Sequence, residues 1–86
     1  MNIKLFCVLD YKLGQFNTPM AFQSTGLAYR AFQDEVNRDA SDNPMFKYPD
    51  DFSLHYVGEF NTFSGCFSPP EKGIPEVVVQ GREVKM

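Results

Sequence analysis

The stretch PDDFSLHYVGEFNTFSG, Pro49 to Gly65, joins a turn, an alternating segment and a second turn in one unbroken block. Pro49-Asp50-Asp51 is turn chemistry. Beyond it, Leu54, Tyr56, Gly58 and Phe60 fall on one face of an extended strand, and His55, Val57 and Glu59 on the other. Asn61 to Gly65 forms a loop with polar ends and a closing glycine able to take positive φ, so the block reads as an edge-defining β-hairpin returning through Cys66 and Phe67. Gly58, in mid-strand, removes a side chain where a bulge or a packed ring can sit.

Upstream, Ile3, Leu5, Cys7 and Leu9 alternate with Lys4, Phe6, Val8 and Asp10, which predicts a central strand with one wholly apolar face. A turn over Tyr11 to Gln15 leads to a weaker strand, Phe16 to Gln23. Pro19 lies inside that strand, cannot donate a ladder bond, and pushes it to an edge or breaks it in two. Ser24 is placed to cap the one clear helix, Thr25 to about Arg38. Leu27, Ala28, Ala31, Phe32 and Val36 share one arc of its wheel, and Arg30 and Asp34, four apart on the other side, are placed to pair. Asp39 to Pro49 is polar and broken by prolines, hence a loop.

Downstream, Ser68 to Gly73 has polyproline character, Val77 to Val79 predicts the last strand, and 81–86 is expected to fray. The fold class is therefore α+β in a single domain over 1–86: an antiparallel sheet of four to five strands with one helix packed on one face. A helix of about 14 residues spans about 21 Å and covers one side only. Phe6, Val8, Val57 and Phe63 are then left needing a second cover, which predicts a homo-oligomer, most simply a dimer.

Composition limits the function. A formal charge of −3 excludes a global positive field, so any phosphate contact must come from a local patch. Two cysteines, Cys7 and Cys66, are too few for a disulfide framework and read as reduced and buried. No apolar run approaches the roughly 20 residues needed to cross a bilayer, and the apolar start reads as a strand, so no membrane contact and a cytoplasmic location are expected. The single histidine, His55, has no serine or cysteine at a recognisable nucleophile spacing, Asp50-Asp51 is too small a carboxylate group for a metal, and no phosphate-cradling glycine loop is present. A non-enzymatic protein without cofactor or metal is expected.

The same block resembles the small nonstructural protein of microviruses, the gokushovirus-type single-stranded DNA phages. The matching positions are Pro49, Asp50, Asp51, Phe52, Leu54, Gly58, Glu59, Phe60 and Gly65, preceded by Ala28, Arg30, Phe32, Asp34, Val36 and Asn37, then Asn43-Pro44-Met45-Phe46 and Tyr48. Together they cover roughly residues 3 to 65, and none is a catalytic signature. The resemblance implies a phage protein in the host cytoplasm. Proteins of that family are commonly described as DNA-binding, and are compared with the regulator that switches other microviruses to single-strand synthesis coupled to packaging. Of the matching positions only Arg30 is also a credible phosphate contact.

Two functions follow, from different classes. One is a regulator of genome replication that binds single-stranded DNA by ring stacking and a patch made of Lys12, Arg30, Arg38 and Lys47. The other is an oligomeric interaction module whose open sheet face or edge docks a phage or host replication protein without touching DNA. Net acidity favours the second, and the family resemblance favours the first.

Overall fold

The computed structural model describes residues 1–86. In chain order it contains β1 (Asn2–Asp10), β2 (Gln15–Phe16), β3 (Met20–Phe22), α1 (Thr25–Val36), α2 (Pro44–Lys47), a 3-10 turn (Pro49–Asp51), β4 (Phe52–Asn61), β5 (Phe67–Ser68), β6 (Glu76–Gln80) and α3 (Gly81–Val84). The six strands make one antiparallel sheet, and α1 lies against one face of it, which is the α+β class the sequence predicts.

β1 and β4 form its axis, paired from Asn2 opposite Asn61 to Asp10 opposite Phe52. β2 and β3 pair with the free side of β1, and β5 and β6 with the free side of β4. The Pro49–Gly65 block makes the expected hairpin, β4 returning through Cys66 into β5 at the sheet edge, but β4 itself is an interior strand with neighbours on both sides. Pro19 splits the weaker strand into β2 and β3 as expected. Asn17 bridges the gap, donating its N–H to the Val8 carbonyl (2.9 Å) and accepting the Val8 N–H on its side-chain oxygen (2.7 Å).

The core consists of Phe6, Val8, Phe52, Leu54 and Val79 from the sheet, packed on Ala28, Phe32 and Val36 of α1 and on Val84. Phe6 and Val8, expected on the uncovered face, are under the helix. The row Lys4, Phe6, Val8, Asp10 outlasts the helix above it: twelve residues reach about 18 Å, so the charged ends project beyond the covered centre. The wholly apolar row, Ile3, Leu5, Cys7 and Leu9, therefore lies on the other face.

A bulge in β4 explains a second departure. Leu5 pairs with Gly58 but Phe6 with Tyr56, so Val57 is an extra residue and the alternation changes face at that point. Leu54 and Tyr56 look toward α1, whereas Phe60 stands opposite Ile3 on the far face. Gly58 takes φ +139, and a Cβ there would run into the Ser68 carbonyl. That close pass needs glycine. A similar slip in β6, with Val79 opposite Leu54 but Val77 opposite His55, makes Val78 its extra residue.

Three segments differ from expectation at their ends. Asn43-Pro44 starts a short helix inside the expected loop: Asn43 accepts the Met45 N–H (3.1 Å), donates to the carbonyls of Glu35 (2.8 Å) and Arg38 (2.9 Å), and is buried. Proline at the first helical position is suited to this because its missing N–H would have had no partner. Gly81–Val84, within the segment expected to fray, forms α3, at whose start the Gln80 N–H donates to the Glu83 carboxylate (2.8 Å). Lys85 Nζ sits 3.3 Å from the centre of the Phe46 ring, and the Met86 N–H donates to Asn37 (2.8 Å). Finally, Arg30 and Asp34 form no ion pair; the paired arginine is Arg38, held by Glu35 and Asp42. Glu35 breaks the apolar arc of α1 for that contact.

Candidate nucleic-acid interface

The β4–β5 turn presents rings that no core claims. Asn61 Oδ1 accepts the N–H groups of Phe63 (2.8 Å) and Ser64 (3.1 Å), and Gly65, at φ +73, returns its N–H to the Asn61 carbonyl (2.8 Å). An asparagine holding the two following amides fixes the tip. Phe63 is ejected to 87 % exposure, and Phe67, 71 % exposed, leans on Phe60 with ring centres 5.0 Å apart and planes at 49°. Cys66, expected to be buried, is exposed in this turn, while Cys7 is buried and its thiol pKa is raised by that burial. The two cysteines are not sheet neighbours.

The four cations read from the sequence are only partly united. Lys12 and Lys47 line one open cleft of about 730 Å³, to which the exposed Tyr48, next to Lys47 at the end of α2, also belongs. Asp10, Asp50 and Asp51 line it too, so two positive side chains meet three negative ones. Asp10 is already engaged, its Oδ1 accepting the N–H groups of Lys12 (3.0 Å) and Leu13 (3.3 Å). Arg38 lines a second, apolar cleft of about 580 Å³ together with Phe22 and Phe32; the clefts share Asp10, Pro44 and Phe52. Its hydrogen bond to Glu35 raises an already high guanidinium pKa, so it stays charged but is committed. Arg30, exposed on α1, lines neither cleft. Lys4, at the ring end, lies 3.7 Å from Glu59 and 5.2 Å from the centre of the Tyr56 ring.

His55 occupies a sealed position on the far face. Its Nε2 lies 2.7 Å from Ser53 Oγ, which donates to the Tyr11 hydroxyl at 3.1 Å; Phe16 stands edge-on at 5.2 Å and Cys7 is directly opposite. In that arrangement the ring donates from Nε2 and leaves Nδ1 a buried acceptor without a partner. Burial lowers its pKa, because the imidazolium would lose its water. Ser53 is fully buried, so this serine and histidine make a packed contact closed to substrate.

Reading the sequence by charge found Lys12 and Lys47; among the surface rings it left Phe63 uncovered but missed Tyr48, Phe60 and Phe67. The signal lay in Asn61-Thr62-Phe63-Ser64-Gly65: an aromatic in the middle of a turn that opens on asparagine and closes on glycine has no core to enter.

Comparison with known proteins bears on the identity of the chain. The sequence pattern of a family described as "Phage ORF5 protein" matches residues 3–84. A "Protein ORF5" from Chlamydia phage 1 is 30 % identical over 83 residues, covering 94 % of this chain and 86 % of its own length. No solved structure matches.

Proposed function

This chain belongs to the phage ORF5 protein family, and from that premise we propose that it is a non-enzymatic phage protein that binds single-stranded DNA and thereby regulates viral genome replication, including the switch to packaging-coupled single-strand synthesis. The observation that carries the reading is the Phe60, Phe63 and Phe67 ring group, two of whose members are exposed without a packing role in the chain. Bases of any sequence stack on such rings, each contact contributing about 1 to 3 kcal/mol. Phosphate contacts are few. Lys12 and Lys47 form no ion pair and line one cleft, and with their three carboxylate neighbours they neutralise at most two phosphates. Stacking, rather than charge, thus supplies most of the affinity.

Anisotropy of a labelled single-stranded oligonucleotide tests this directly. Two phosphate contacts predict that affinity falls only about sevenfold between roughly 50 and 200 mM salt. Phe63→Ala and Phe67→Ala should each weaken binding about tenfold without altering the fold, and the double variant Lys12→Ala/Lys47→Ala should flatten the salt dependence. Absence of binding at the lower salt, or equal affinity in the phenylalanine variants, would overturn the reading.

A second reading is an oligomeric interaction module that docks a phage or host replication protein without touching DNA. The apolar far face of the sheet, with Phe16 and Val77 exposed on it, favours it. A pull-down from infected host lysate, repeated after nuclease digestion, separates the two: an association bridged by DNA disappears, and a protein contact survives.

A further inference from the structure

Every charged side chain on the sheet strands belongs to the helix side. Lys4 and Asp10 share the β1 row with the core residues Phe6 and Val8, Glu59 pairs with Lys4, and Glu76 pairs with Tyr56, whose hydroxyl pKa is raised by burial and then by Glu59 and Glu76. The far face carries none. Its residues, followed through the pairings, are Ile3 beside Phe60, Leu5 beside Ala21, Cys7 beside His55 and Val77, and Leu9 beside Phe16 and Ser53. His55 adds no charge at neutral pH, because its burial disfavours the protonated form. At the centre of the face Cys7 and His55 are already shut from water, and around them Phe16 and Val77 are about half exposed.

We propose that this face is the interface of an isologous dimer, in which a second copy of the chain packs sheet on sheet about a twofold axis. Three observations choose a second copy over another occupant. In an isologous contact residue i meets residue j and j meets i, and only residues on the axis meet their own copies; a face without charge on any strand needs no opposite charge placed across it in any register, and offers no phosphate partner either. The area also fits. A body of 41 × 22 × 20 Å presents a long face of about 800 Å², which is about what each partner contributes to a standard interface, and leaving the Phe63 tip outside still keeps it near the lower bound of about 600 Å². Finally, only 16 of 86 residues are buried in the single chain, a thin core for a domain of this size that a second layer would thicken. Phe60 and Phe67 share the open end of this face and lie outside the contact together with Phe63, so the ring end stays free on each copy and two such ends on one dimer bind a single strand bivalently.

Sedimentation velocity of the full chain, without nucleic acid and over a concentration series, tests the dimer independently of DNA binding. The wild-type protein is expected to sediment as a dimer. Val77→Lys and Phe16→Glu, each introducing two like charges per interface, are expected to raise the dimer dissociation constant about a hundredfold or more, while Leu27→Glu, exposed on α1 on the opposite side, leaves it unchanged. Circular dichroism melting checks that each variant is folded; Val77 lies on a half-exposed edge strand and tolerates lysine even if Phe16→Glu loosens β2. A wild-type monomer at every concentration overturns the proposal. So does a dimer that Val77→Lys leaves intact, or a monomer whose far face captures a different protein.

Discussion

β1 and β4 run the length of the molecule as one ladder, yet its two ends have different environments. At the Phe52–Tyr56 end, α1, α3 and the Asn43 turn cover the sheet, and Phe6, Leu54 and Val36 are lost to solvent completely or nearly so. At the Phe60–Phe67 end no helix covers either face, and the rings stand in water. The boundary is the Val57–Gly58 bulge. The same strand pair supplies a folding core at one end and a contact surface at the other, so stability and function are expected to respond to different residues.

Phe32→Ala probes the covered end most severely: Phe32 is 3 % exposed in the core, and its loss should cost about 3 to 5 kcal/mol, read as a collapse of the melting transition. A soluble Phe32→Ala protein with an unchanged Tm would dissolve the distinction between the two ends. Gly58→Ala tests the boundary. It forces a side chain into φ +139 and against Ser68, at about 3 kcal/mol of strain. Hydrogen exchange should then speed at the β4–β5 amides before those of β1 opposite Leu54. Asn43→Ala removes a buried cap and two donated hydrogen bonds, for about 1 to 2 kcal/mol by denaturant titration.

The far face beneath Phe16 adds a smaller effect that depends on pH. His55 is harder to protonate folded than unfolded. Its contribution to stability is therefore complete above the unfolded value of about 6.5, is lost progressively as pH falls below it, and levels off once the folded form also binds a proton. His55→Gln should flatten that part of the stability curve. Smallest of all is Phe63→Ala at the open end, expected to stay within about 0.5 kcal/mol of the wild-type stability while weakening oligonucleotide binding. If it destabilised the fold instead, the ring end would have to be counted as core.

The periodic segments were legible in the sequence. Ile3 to Asp10, Ser24 to Val36 and the split at Pro19 appear where hydrophobic spacing, a serine cap and a missing N–H put them. What the sequence did not disclose was set by contacts between distant elements. Both faces of Ile3 to Leu9 look apolar, and only the short reach of α1 decides which is covered. The bulge at Val57 is hinted at by Gly58 but fixed by the chain passing at Ser68. The cap at Asn43 depends on carbonyls of α1, and the order in 81–86 depends on Phe46 and Asn37. At the candidate site, charge alone pointed to Lys12 and Lys47 but could not show that Glu35 and Asp42 claim Arg38, or that Arg30 stands apart.

The register of the central ladder also sets the order of folding events. Asn2 pairs with Asn61 and Asp10 with Phe52, so the longest strand pairing joins segments 42 to 59 residues apart in the chain. On the ribosome, β1 can meet only β2 and β3 until β4 has emerged, and the core under Phe32 cannot close before then. Such non-local pairing pays its loop-closure entropy before any contact repays it, which places folding in the slow, millisecond-to-second regime of sheet proteins rather than the microsecond regime of helical bundles. During that interval the alternating apolar strand Ile3 to Leu9 is without its main partner, and the nascent chain is at its most prone to associate with the wrong one.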